Sequence, residues 1–142
     1  FYKAASEGGS GHTGRIYNSA TGAVLASVAF NDAACNGPKW VVAPLAAPLQ
    51  TTPGVEYTVA VDSLLYYVKT DGYYASPRTV GKVTAIAGVY GTAAGQMPTY
   101  QNQLPASYYI DGESPRSLYS YNSLRTDTTL LFSCLAVEFA GR

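Results

Sequence analysis

Short strand-like segments separated by turn residues are the feature that most constrains this chain. Turn signals at Ala20–Gly22 and Thr70–Gly72 predict two hairpins, the first with Gly22 at positive φ. Short strands at this spacing, joined by turns, are typical of an antiparallel β-sandwich or jelly roll. The clearest strand, over residues 55–62, places alternate apolar side chains on one face: Val55, Tyr57, Val59 and Val61.

The segment around Trp40 predicts how the sheets are arranged. Trp40 begins a strand, and we predict that it is buried between two sheets, close to Tyr57 and Val59. Pro44 and Pro48 then confine the following stretch to a sheet edge or an extended connection, because proline cannot donate to a strand ladder.

Composition excludes several classes of function. The net charge of the 142 residues is zero, and only 13% are charged, against about 25% in typical soluble domains. The sequence has no cluster of basic residues that could bind the phosphate groups of a nucleic acid, so nucleic acid is not an expected partner. No apolar run reaches the roughly 18–20 residues of a membrane span.

The high content of tyrosine and glycine, thirteen and fourteen residues, favours an extracellular β protein. Such a low fraction of charged residues suits a subunit of an assembly more than it suits a free monomer.

The sequence nominates no catalytic, cofactor or metal site. His12 is the single histidine, and its glycine neighbours indicate a turn residue rather than a catalytic base or zinc ligand. Ser10 and Ser133 lack a nucleophile elbow, and calcium-type Asp-x-Asp spacing is absent. We therefore expect no enzyme activity. The carboxylates are scattered, and no obvious pair occurs among Asp32, Glu56, Asp62, Asp71, Asp111, Glu113, Asp127 and Glu138.

The two cysteines, Cys35 and Cys134, lie far apart and lack metal-type spacing. We predict that they form a disulfide in an oxidising compartment. Two unpaired buried thiols are the alternative.

A series of short motifs follows in a fixed order along the chain: Phe1–Ala4, Gly11–Gly14, Ile16–Tyr17, Thr21–Gly22, Leu25–Ala26, Phe30, Trp40, Pro48, Gly54–Tyr57, Gly72–Ala75, Gly88–Tyr90, Met97–Thr99 and Ser107–Asp111. This ordered set resembles domain-of-unknown-function family 4082, which occurs in secreted multidomain proteins beside adhesive and carbohydrate-active modules. The resemblance covers residues 1 to about 112 and implies an extracellular β-sandwich; it supplies no catalytic residues.

The end of the chain departs from that pattern. Residues 113–128 are polar and predict a linker, and residues 129–142 predict one further strand. In the family, a segment like Phe1–Ala4 follows about one more strand, and residues 124–139 loosely resemble that lead-in. We expect the terminal strand to lie beside Phe1 and to complete a sheet. The assembly residues would be Leu131, Leu135, Val137, Phe139 and Phe1.

Three arrangements of this strand remain open. In the first, the chain is a circular permutant that closes on itself. In the second, it is a subunit that donates the strand to its neighbour. In the third, it is one period of a tandem repeat. The second and third give a linear filament, because a head-to-tail contact that does not close propagates.

Adjacent tyrosines suggest a different role. In a strand, one ring of each pair faces outward, where it could stack on a sugar or cover a subunit contact. Our leading hypothesis is a structural subunit or repeat of an extracellular filament, with copies of itself as partners. The alternative is a monomeric carbohydrate-binding or adhesin module. The candidate stacking residues are Tyr73, Tyr74, Tyr108 and Tyr109.

Overall fold

The computed structural model describes residues 2–3, 11–33, 39–63, 76–80, 83–90, 94–98, 100–101, 118–126 and 131–135. Every regular element in these ranges is a strand, and all pairings are antiparallel, which confirms the predicted all-β class. The described part contains no helix, and hence none long and apolar enough to cross a membrane. The strands are β1 (Tyr2–Lys3), β2 (Thr13–Asn18), β3 (Val24–Ala29), β4 (Lys39–Trp40), β5 (Ala43–Gln50), β6 (Glu56–Ser63), β7 (Arg78–Val80), β8 (Val83–Tyr90), β9 (Tyr100–Gln101), β10 (Leu118–Thr126) and β11 (Leu131–Leu135).

The largest sheet has the order β3-β2-β6-β10-β8-β7, and β9 also pairs with β8. Its β2–β3 hairpin turns where the sequence predicts, with Gly22 at a φ of 73°. The Asn18 side chain accepts hydrogen bonds from the backbone N–H groups of Ala20 and Thr21, at 3.0 and 3.1 Å. Asparagine stabilises a turn in this way, and glycine tolerates the left-handed conformation that closes it. The predicted hairpin at residues 70–72 lies outside the described residues.

Strand β10 corrects the predicted linker, residues 113–128, over its described part, residues 118–126. It is inserted between β6 and β8 and is paired with both. Its register on β6 runs from Leu118 opposite Ser63 to Arg125 opposite Glu56. The sequence of β10 is largely polar, so apolar periodicity does not reveal it. Main-chain hydrogen bonding on both sides places it in the sheet.

Two short sheets are separate from the main sheet, β5 with β11 and β1 with β4. The predicted terminal strand is therefore present as β11. Its predicted position beside Phe1 stays a prediction, because Phe1 and residues 136–142 lie outside the described residues. Within the described residues, β11 pairs with β5, from Leu131 opposite Gln50 to Leu135 opposite Ala43, whereas β1 pairs with β4. The assembly residues Phe1, Val137 and Phe139 lie outside the described residues.

The edge position predicted from the prolines is observed in β5. Within the described residues β5 has a single strand partner, β11, and their register shifts between Phe132 and Cys134. On β5 the shift spans the residues between Leu49 and Pro44, a stretch that includes Pro48. Proline lacks the N–H that a regular ladder needs, which accounts for an interruption at this point.

The hydrophobic core lies between the main sheet and the first half of β5. Tyr57 and Val59 are buried there, as predicted, and the Tyr57 hydroxyl accepts a hydrogen bond from the Thr52 N–H at 2.8 Å. The full cluster is Ile16, Phe30, Val41, Ala43, Leu45, Tyr57, Val59 and Ala85.

The predicted burial of Trp40 is wrong, because its side chain is 45% exposed. Val41 is buried instead, with 6% of its surface exposed, and Val42 points outward again, with 56% of its surface exposed. Side chains alternate along an extended chain, so this stretch has the opposite phase to the one predicted. Since Val41, Ala43 and Leu45 face the core, Trp40 has to face away from it.

The neighbouring valines provide a matched test of this phase. Val41→Ala should lower the free energy of unfolding by about 1.5–3 kcal/mol, the contribution of a fully buried side chain of this size. Val42→Ala should change it by less than about 0.5 kcal/mol, as for most surface substitutions. Urea unfolding followed by circular dichroism measures both. Equal losses in the two variants would contradict the assigned phase.

A buried lysine, aspartate and histidine cluster as the candidate functional site

Three ionisable side chains from separate parts of the chain meet inside the protein. Lys3 lies in β1, His12 directly precedes β2, and Asp32 follows β3 by three residues. The β2–β3 ladder continues past its last strand residues, because the Phe30 N–H donates to the His12 carbonyl at 2.9 Å. Hairpin register therefore brings residue 12 close to residue 32, and β1 adds Lys3.

Asp32 is the acceptor at the centre of this cluster. The Lys3 ammonium donates to Asp32 Oδ2 at 3.2 Å and to the Asp32 backbone oxygen at 2.9 Å. The Gly11 N–H donates to Oδ1 at 2.8 Å, and His12 Nδ1 contacts Oδ2. An ionised carboxylate only accepts hydrogen bonds, so the His12 proton in this contact resides on Nδ1.

The cluster is shielded from water. The Lys3 side chain is 3% exposed, and those of His12 and Asp32 are 0% exposed. Gly11 has a φ of 84°, in the left-handed region that favours glycine, and it is this residue whose N–H meets the carboxylate. Buried charges are tolerated only when they are paired and hydrogen-bonded, as they are here.

Burial and hydrogen bonding act on the pKa of Asp32 in opposite directions. Burial alone would raise this pKa, but the hydrogen bonds from Gly11, His12 and Lys3, with the attraction of His12, lower it overall. The unfolded value is about 3.9. The ion-paired carboxylate therefore stabilises the fold at pH values above about 3.9, and this contribution is lost as the pH falls through the folded-state pKa.

A second ion pair joins Arg15 of β2 to Asp62 of β6, at the border of the solvent. The two side chains are 21% and 17% exposed. Burial acts to lower the pKa of Arg15, but the hydrogen bond and the attraction of Asp62 raise it overall. The pair spans two adjacent strands, because Thr13 lies opposite Asp62 and Arg15 opposite Ala60. It stabilises the β2–β6 register.

The predicted role of His12 as a turn residue is wrong. His12 is fully buried and bonded to Asp32, which also binds Lys3. Counting the hairpin register outward from the turn at Gly22 pairs residue 12 with residue 30, so the sequence carries a signal that His12 lies near Asp32. No local sequence pattern connects Lys3 to these two residues. Among the described residues, no three His, Cys, Asp or Glu side chains form a group that could hold a metal ion.

The other predicted site residues are placed in part. Cys134 lies in β11 with its backbone opposite Pro44, whereas Cys35 lies outside the described residues, so the disulfide stays a prediction. The candidate stacking tyrosines Tyr73, Tyr74, Tyr108 and Tyr109 also lie outside the described residues.

Comparison with protein families returned a match over most of the chain. A family model described as "Domain of unknown function (DUF4082)" matches residues 1–110. The chain belongs to the DUF4082 family. The match includes β1 to β9 and all three residues of the buried cluster, whereas β10 and β11 follow it. Searches of curated proteins and of solved structures returned no match.

The two ion pairs of this DUF4082 domain should differ in their contribution to stability. Asp32→Ala leaves the buried Lys3 ammonium without its carboxylate and should cost about 3–5 kcal/mol. Asp62→Ala breaks a partly exposed pair and should cost about 1.5–3 kcal/mol. Urea unfolding at pH 7 compares the two variants. A smaller loss for Asp32→Ala than for Asp62→Ala would contradict the central position of Asp32.

Proposed function

We propose that this DUF4082 domain is an extracellular structural unit that assembles with copies of itself by strand complementation. One observation carries the proposal. Strands β10 and β11 follow the family-matched residues 1–110, yet β10 lies between β6 and β8 and β11 lies along β5.

The position of β10 explains why a strand must be supplied there. Strand β6 pairs with β10 over eight residue pairs, and β8 pairs with the opposite edge of β10. Without β10, these facing edges of β6 and β8 would present unpaired N–H and C=O groups, which is unfavourable and invites another strand. The same main-chain hydrogen bonds form whether the strand comes from the same chain or from a neighbouring copy.

The connection between β10 and β11 suits exchange between copies. The two strands belong to different sheets, and four residues, 127–130, separate them. A donated segment would thus pair with two sheets of the acceptor at once. Each acceptor would donate its own segment onward, and such a heterologous contact propagates into a filament unless it closes into a ring.

Composition supports an extracellular assembly. The net charge is zero with 13% charged residues, which gives a free monomer little electrostatic protection from association. A Cys35–Cys134 disulfide would be compatible with an oxidising compartment. Because Cys134 lies in β11, a donated strand would carry that disulfide across the subunit contact.

Peptide capping tests the exchange. The full chain should form oligomers whose size rises with concentration, measured by sedimentation velocity and negative-stain microscopy. A reduced synthetic peptide of residues 118–135 should occupy the acceptor site and shorten them. The same peptide with Asn122→Pro should have no effect, because residue 122 pairs with both β6 and β8 and proline removes its N–H. A chain that is monomeric at every concentration and takes up neither peptide keeps its strands in cis, which contradicts the proposal.

A carbohydrate-binding module is the second candidate, and the exposure of Trp40 favours it. An indole that is 45% exposed on a short strand, next to Val42 at 56%, presents apolar surface of the kind that marks binding sites.

Glycan binding would then depend on the indole. If the domain binds a glycan on an array, Trp40→Ala should abolish the signal, whereas Val24→Ala, at a side chain that is 50% exposed on β3, should leave it unchanged. Equal binding by the wild type and Trp40→Ala would exclude this surface.

A further inference from the structure

Lys3 holds its amine against a carboxyl group in the interior of the protein. Its Nζ lies 3.2 Å from Asp32 Oδ2, and its contact with the Asp32 backbone oxygen, at 2.9 Å, holds it over the same residue. The two side chains are 3% and 0% exposed, so bulk water does not reach the pair. We propose that Lys3 and Asp32 condense into an intramolecular isopeptide bond, with His12 as the proton-transfer catalyst. This inference is independent of the proposed function.

The reaction balances without any further reagent. Within the ion pair, the Lys3 ammonium transfers a proton to the Asp32 carboxylate, which gives a neutral amine and a neutral acid. The amine nitrogen attacks Cγ and forms the new N–C bond, and the bond from Cγ to Oδ2 breaks. Oδ2 leaves as water with its own proton and one from Nζ. The product is an amide, and nothing is oxidised or reduced.

The other two members of the cluster contact the two oxygens that this reaction distinguishes. The Gly11 N–H donates to Oδ1, which remains as the amide oxygen and carries negative charge in the tetrahedral intermediate. His12 Nδ1 contacts Oδ2, the leaving oxygen, where an imidazole can deliver the proton taken from Nζ. Nucleophile, electrophile, oxyanion donor and proton carrier are therefore all in place.

The resting ion pair does not prevent the reaction. The lowered pKa of Asp32 makes the neutral pair a minor form, which slows the attack. Low-dielectric surroundings disfavour separate charges, and a reactant held in place reaches effective concentrations of about 10⁵–10⁸ M. The bond has to form only once in each molecule, so a slow step is sufficient.

The bond would join the first strand to the main sheet. Lys3 and Asp32 are 29 residues apart, and linking them restricts the unfolded chain as a disulfide does. A reductant would not break it. The start of the chain would then stay attached even when β1 separates from β4.

The intact mass of the full chain, measured after reduction and denaturation, tests the proposal. We expect a mass that is lower than the sequence mass by one water, and a tryptic fragment in which the Lys3 and Asp32 peptides are linked. Trypsin should no longer cleave after Lys3. A mass equal to that of the sequence would overturn the proposal, and so would a deficit located elsewhere, such as a succinimide at Asp71 or Asp111, each of which precedes glycine.

Two substitutions separate the bond from the ion pair. Lys3→Arg keeps the positive charge but removes the amine, so it should have the full sequence mass. Asp32→Asn can still react by losing ammonia in place of water, and its product should have the same mass as the condensed wild type. A water deficit that persists in Lys3→Arg would overturn the proposal even if the variant folds poorly, because the mass is measured on denatured chains.

His12 and acid stability give two further readouts. In His12→Gln, the condensed fraction at fixed times after cell-free synthesis should rise about 10²–10⁴-fold more slowly, as expected when a general acid–base group is lost. An unchanged rate would show that His12 does not take part in the reaction.

The condensed chain has no Asp32 carboxyl to titrate, so it should retain at low pH the stability that Lys3→Arg loses. Equal acid sensitivity of the two chains would contradict the bond.

Discussion

The inner face of the main sheet must be covered, and much of the described structure follows from how this is done. Val41, Ala43 and Leu45 provide the cover over Ile16, Tyr57 and Val59. Removing this apolar surface from water is the dominant favourable term in folding. The phase that buries Val41 turns Trp40, the last residue of β4, outward. Strand β1 pairs with β4, and this pairing brings Lys3 to Asp32.

The buried cluster and the sheet edges have separate roles. The cluster is shielded from solvent, and its hydrogen bonds join Lys3 to Asp32 within the chain. Sheet edges and exposed apolar side chains such as Trp40 lie outside this cluster, and the proposed contacts with other molecules depend on them.

Strands β10 and β11 show how local pattern and pairing can disagree. Strand β11 was predicted from its apolar residues, and it is present, paired with β5. The sequence of β10 predicts a linker, because serine and asparagine interrupt its apolar residues. A strand between two others is stabilised by main-chain bonds on both sides, which depend little on side-chain type. Its sequence therefore carries a weak signal.

The sequence by itself determined the all-β class, the hairpin at Gly22, the edge position of the Pro44–Pro48 stretch and the inward face of Tyr57 and Val59. These properties follow from backbone preferences and alternation within a few residues. Only the tertiary structure decided the phase at Trp40, the partner of β11 and the meeting of Lys3, His12 and Asp32. Those depend on which distant segments cover one another, and the free energy of that choice is spread over contacts between residues far apart in the chain.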